Sequence, residues 1–122
     1  MADARTILVV DDEVDVLEMI ELGLRSAGYQ VVLATSGERA IEIFESHRAD
    51  LVICDIKMPG MDGITTITHL RATDPGVPVV VLTGFMTEQT VEQCGQLGVD
   101  VLGKPFLFRE LSRAVKAGLA RR

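Results

Sequence analysis

Two hydrophobic spacings alternate along the chain. Thr6-Ile7-Leu8-Val9-Val10 and Leu51-Val52-Ile53-Cys54 hold unbroken apolar runs of strand length, as in strands buried on both faces of a parallel sheet. Over residues 14–27 the period lengthens, so that Leu17, Ile20, Leu24 and Ala27 share one helical face and Gly28 supplies a stop. Gly23 inside that helix costs about 1 kcal/mol relative to alanine, so packing has to hold the helix together. The alternation continues with a strand over 30–34. Ser36 can then cap a helix to about residue 47, with Ala40, Ile41 and Phe44 inward. After the central strand, Asp62 caps a helix reaching residue 73, with Ile64, Ile67 and Leu70 on its inner side. Strands over 77–82 and 99–102 bracket a helix over 87–97. The last helix runs from 107 to the end, with Leu111, Ala114, Val115 and Leu119 inward. The helix over 87–97 is the weakest, because its apolar stripe is only Val91, Cys94 and Leu97, with Gly95 inside it.

Five strands alternating with five helices through short connections predict an α/β fold. The expected form is a flavodoxin-like (βα)5 three-layer sandwich, with a parallel sheet in the order 2-1-3-4-5. A length of 122 residues suits one domain over 1–122, and 48% hydrophobic with 25% charged residues is the balance of an ordinary globule. The apolar runs are too short to span a bilayer and Met1 to Arg5 hold no apolar leader core, so a cytoplasmic location without a membrane partner is expected. The two cysteines, Cys54 and Cys94, lack metal or redox spacing and read as reduced, buried thiols.

A net charge of −6 argues against a direct nucleic-acid partner. The charge is unevenly spread: residues 11–21 hold six acids and no base, whereas residues 104–122 hold six bases against Glu110 alone. Each end is either a solvated helix face or a docking surface, and the same two readings hold for the stripe Arg109, Arg113 and Lys116. His47 and His69 lie on helices away from the strand ends and read as surface residues.

In the predicted sheet every strand delivers its end to one edge, where open α/β sheets place their ligands. Asp11 and Asp12 follow the first strand, Asp55 ends the third, Thr83 ends the fourth and Lys104 follows the fifth. Taken alone, Asp55 is either a working group or a loop cap. Two like charges about 4 Å apart at an effective dielectric of about 20 repel by roughly 4 kcal/mol, so three carboxylates there call for a cation. Oxygen donors with no histidine or cysteine among them favour a hard divalent ion, and Mg2+ typically shares its positions with phosphate oxygens. A phosphoryl group at Asp55 would then meet Mg2+, Lys104 and the Thr83 hydroxyl, with Asp55 as nucleophile and an aspartyl phosphate as product.

The pair Asp11-Asp12, the block Asp55-Ile56-Lys57-Met58-Pro59-Gly60-Met61-Asp62-Gly63, the step Leu82-Thr83-Gly84 and Lys104-Pro105-Phe106 together resemble the receiver domain of bacterial two-component response regulators. The likeness runs from Thr6 to the last helix. It implies a phosphorylation-dependent signalling switch that is not an enzyme beyond its own phosphorylation and dephosphorylation. Asp55 would accept phosphate from a sensor histidine kinase or a histidine phosphotransfer protein. Asp12, Asp55 and the backbone carbonyl of Lys57 would bind Mg2+ directly, with Asp11 acting through water. Thr83 and Lys104 would contact the phosphoryl group, and the Lys104-Pro105 peptide would be cis. Lys57 and Phe85 occupy positions that in similar proteins tune how long the phosphate survives. A downstream protein would read the surface of the fourth helix, fifth strand and last helix, and the domain would be a monomer or a weak phosphorylation-dependent dimer.

One position departs from the pattern. Receivers commonly carry Tyr or Phe three residues before this lysine, and here that residue is Val101, which has no ring to swing. The switch is then either muted or borrowed by Phe85, and a degenerate receiver acting only as a docking module is the alternative reading. Two other functions fit less well. A flavin-binding carrier needs a phosphate-cradling loop after the first strand, which Asp11-Asp12-Glu13 would repel. An aspartate-nucleophile phosphatase expects Asp-x-Asp there and an inserted cap.

Overall fold

Both continuous runs form strands, and the longer spacings form helices between them. The structure, a computed structural model, describes residues 4–122; Met1 to Asp3, part of the segment searched for a leader, lie outside the described residues. The elements in order are β1 (Thr6–Val10), α1 (Val14–Ser26), β2 (Gln30–Ala34), α2 (Gly37–Ser46), β3 (Leu51–Asp55), α3 (Gly63–Thr73), β4 (Val79–Thr83), α4 (Glu88–Leu97), β5 (Asp100–Gly103) and α5 (Phe108–Arg121). The sheet order is β2-β1-β3-β4-β5, with every neighbouring pair parallel, as expected from the alternation.

The period of two within each strand divides the core between the sheet's faces. Ile7, Val9, Leu51, Ile53, Val80 and Leu82 pack with Leu17, Ile20 and Leu24 of α1 and Leu111 and Val115 of α5. Leu8, Val10, Val52, Cys54, Val79 and Val81 face the other way, onto Ala40 and Phe44 of α2, Ile67 and Leu70 of α3 and Cys94 of α4. Each fully buried aliphatic side chain contributes about 2 kcal/mol, which is why the central strands carry no polar residue until their ends. No helix of the described residues is long and apolar enough to cross a membrane.

The expected caps form: Ser36 accepts from the Arg39 N–H, and Asp62 from the Thr65 N–H. Two helical positions were expected inward and are exposed. Ala27 lies past the last turn of α1 as its C-cap. Val91 is half exposed because α4 covers the margin of the sheet, where little apolar surface remains, and only Cys94 of this helix is fully buried. β4 starts at Val79 instead of residue 77, because Pro78 has no N–H to give the ladder and the Val77 N–H closes a turn onto the Asp74 carbonyl.

The thin packing of α4 is supplemented at its far end. Arg71 of α3 donates to the Leu97 carbonyl and, at 3.2 Å, to the Val77 carbonyl, tying α4 to α3 and to the turn before β4. On the opposite face, Gly23 of α1 receives the Phe108 ring: a Cβ there would stand 2.3 Å from Phe108 Cε1. The packing that holds α1 comes from Leu17, Ile20 and Leu24, and the ring takes the space that a side chain at residue 23 would fill.

Candidate functional site

The strand ends converge as the register requires. Cys54 pairs with Val10 across β1 and β3, and Asp55 pairs with Leu82 across β3 and β4, so Asp55 emerges between the ends of β1 and β4. Gly63 closes the floor beneath it. The Gly63 N–H donates to the Ile56 carbonyl at 2.8 Å, and the first turn of α3 lies directly against the Asp55 backbone.

Asp11, Asp12 and Asp55 each offer a carboxylate oxygen, and these lie within 4.8 Å of one another. Asp11 is wholly buried, Asp55 is buried and Asp12 is exposed. Lys104 Nζ stands 2.9 Å from Asp11 Oδ2, 3.3 Å from Glu13 Oε1 and 3.4 Å from Asp55 Oδ2. The other oxygen of Asp11 accepts from the Glu13 N–H at 2.9 Å. An open cleft of about 300 Å³ beside the cluster is lined by Glu13, Asp55, Lys57, Gly84, Phe85 and Lys104. The Lys104-Pro105 peptide is cis, as the resemblance implies.

Burial pushes the Asp55 carboxyl above the ordinary carboxylate value and the Asp11 charge adds to this, while Lys104 and the Lys57 N–H pull the other way. Burial also works against the Lys104 charge, but its contacts with Asp11, and then Asp55 and Glu13, leave the ammonium's pKa raised. Three carboxylates, Asp11, Glu13 and Asp55, share one ammonium, and Asp12 adds a fourth negative group beside Asp11 and Asp55. The donor set fits a hard divalent cation. Every candidate ligand is an oxygen, and the nearby Cys54 thiol is turned onto the Asp55 carbonyl at 3.4 Å. Burial, then the neighbouring carboxylates, pushes that thiol's pKa far up, so it offers no thiolate.

Thr83 is brought to the same edge, but its hydroxyl is engaged elsewhere. It donates to the Phe85 carbonyl at 3.0 Å and accepts from the Phe85 N–H at 3.1 Å. Lys57 is exposed, with its ammonium 6.0 Å from the centre of the Phe85 ring, and Phe85 itself is 69% exposed. Val101 is half-buried and packed against the core. His47 and His69 are exposed and Cys54 and Cys94 are buried free thiols. Two residues of the site escaped the sequence reading. Glu13 was read only as one acid among several, although it directly follows the acidic pair. Gly63, inside the Asp55 motif, carries no local signal of its close approach to the Asp55 backbone.

The family model described as the response regulator receiver domain matches residues 7–116, and the chain belongs to that family. It is 42% identical over 117 residues to the transcriptional regulatory protein PrrA of Mycobacterium tuberculosis, covering 95% of this chain and 50% of that protein. The chain spans from about a quarter to a half of the length of the curated relatives it matches. Among solved structures it is similar to a putative response regulator from Chloroflexus aurantiacus, with 38% identity, a TM-score of 0.90 and coverage of 97% of this chain and 99% of that one. It is also similar to a chain of the CheX-CheY-BeF3-Mg2+ complex from Borrelia burgdorferi, with 28% identity, a TM-score of 0.87 and coverage of 93% and 87%.

Proposed function

We propose that the domain over 1–122 is a phosphorylation-controlled switch whose acceptor is Asp55. The observation that carries this reading is the placement of a buried carboxylate at the end of the central strand, between two further carboxylates and an ammonium. Asp11, Asp12, Asp55 and the backbone carbonyl of Lys57 would hold Mg2+, which supplies positive charge beside the phosphoryl oxygens. Asp55 attacks phosphorus in line, and the bond to the donor histidine nitrogen breaks as the imidazole leaves. Lys104 pairs with one phosphoryl oxygen. The Thr83 hydroxyl turns from Phe85 to another, releasing the β4–α4 loop.

Loss of the two Thr83 bonds to Phe85 is felt first at α4, the helix with the fewest buried residues, so the readout belongs to the surface of α4, β5 and α5. Since Val101 is packed and ringless, Phe85 carries the aromatic part of the switch. The acidic α1 and the β5–α5 loop flank the cleft and receive the histidine kinase or phosphotransfer protein. The chemistry is confined to the chain's own aspartate.

The test is treatment with acetyl phosphate and Mg2+, followed by intact mass. The parent chain gains one phosphoryl group and Asp55→Asn gains none. Equal uptake by both, or by neither, overturns the reading.

A further inference from the structure

An ammonium has three N–H donors, and those of Lys104 face three carboxylates: Asp11, Glu13 and Asp55. A phosphoryl oxygen arriving at Asp55 has to displace one of them. Asp11 makes the shortest contact, is wholly buried, and has its second oxygen held by the Glu13 N–H. Asp55 is the acceptor and stays beside the ammonium after transfer. Glu13 is the partner that can leave: its side chain is 62% exposed, so the carboxylate returns to water at little cost. Its side chain has no task in its own helix either, since Glu13 stands at the N-cap of α1 without making a capping hydrogen bond. It also lines the cleft through which a donor must reach Asp55.

We infer that Glu13 is a positioning residue that occupies Lys104 in the resting domain and yields it to the incoming phosphoryl group, thereby limiting acceptance from small anionic phosphodonors. The inference rests on the phosphoryl acceptance proposed above. With acetyl phosphate, an Asp55 oxygen bonds to phosphorus, the bond from phosphorus to the acetyl oxygen breaks, and acetate leaves with that electron pair. Lys104 is needed on the phosphoryl oxygens during this exchange, and Glu13 both competes for it and repels the donor.

The test compares the parent chain, Glu13→Gln and Glu13→Asp. Phosphorylation by acetyl phosphate with Mg2+ is followed by intact mass over a range of donor concentrations, and the Lys104 ammonium resonance is recorded beforehand without donor. Glu13→Gln is expected to react about fivefold faster at low donor, with the gain mainly in apparent KM and reduced by added salt. The aspartate, too short to reach Lys104 Nζ, behaves like the glutamine, and both move the Lys104 resonance before any reaction. Equal rates in all three chains, a slower Glu13→Gln, or an aspartate variant matching the parent overturns the inference while leaving Asp55 as acceptor. A parent chain that takes up no phosphoryl group overturns the function itself and this inference with it.

Discussion

A side chain at Gly63 has no room against the Asp55 backbone: a Cβ there would stand 2.3 Å from the Asp55 carbonyl oxygen and 2.7 Å from the Ile56 Cα. The obstructing atoms belong to the backbone and cannot rotate away. Gly63→Ala is therefore expected to cost about 2 kcal/mol or more and to shift the Asp55 amide resonance. Gly23→Ala meets only the partly exposed Phe108 ring, which can swing out, and alanine regains about 1 kcal/mol of helix propensity, so that variant stays near neutral. Denaturant midpoints of the two variants provide the check, and equal losses would refute the packing account.

Magnesium should stabilise the fold, because a cation relieves repulsion that exists only when the three aspartates are assembled. At a concentration 100 times its dissociation constant, an ion bound to the native state alone adds about 2.7 kcal/mol. Millimolar MgCl2 is expected to raise the melting temperature of the parent chain. Asp12→Asn, a change at an exposed position, should keep its own stability and lose most of that response. An equal rise in both would place the ion elsewhere.

The raised pKa of Asp55 has a signed consequence for stability. The native state holds the proton more tightly than the unfolded chain, whose value is 3.8, so ionisation of Asp55 weakens the fold. That cost is absent below 3.8, grows as pH rises through the interval between the two values, and is complete above the raised native value. Asp55→Asn should melt a few degrees above the parent at pH 7 without magnesium, with the gap closing as the pH falls toward 3.8. A gap that widened in acid would contradict the assignment.

The backbone of Phe85 is bonded in both directions to the Thr83 hydroxyl, so moving one must free the other. On addition of beryllofluoride and Mg2+, the Phe85 amide and ring resonances are expected to move further than the Val101 methyls. The reverse order would return the switch to Val101.

Arg71 holds the C-terminal end of α4 through the Leu97 carbonyl, beside a helix that buries little else. Removing this part-buried donor leaves that carbonyl to water or without a partner, at a cost of about 1 kcal/mol. Arg71→Ala should accelerate hydrogen exchange at the Gly98 and Val99 amides, which close the end of α4, while the amides of α1 keep their protection. Unchanged exchange at those two amides would show that Cys94 and Leu97 suffice.

Most of the architecture was readable because each central strand is buried on both faces and so appears as an unbroken apolar run, as at Val79 to Leu82. The predicted site residues come to one edge because parallel strands must deliver their ends together. Contacts made across long separations in the chain were not readable. Nothing near Glu13 announces that Lys104, 91 residues later, ends 3.3 Å away. Gly23 looked like a defect in α1 until the Phe108 ring filled its place. Likewise Val91 has helical spacing from Cys94, but spacing cannot tell that the sheet gives out beneath it.

The strand order assigns different freedoms to the middle and the margin. β3 is braced by a neighbour on each flank, whereas β5 finishes the ladder with only β4 beside it. A substitution along that outer rim disturbs the ladder on one flank only, whereas a change in the strand that ends at Asp55 is felt on both.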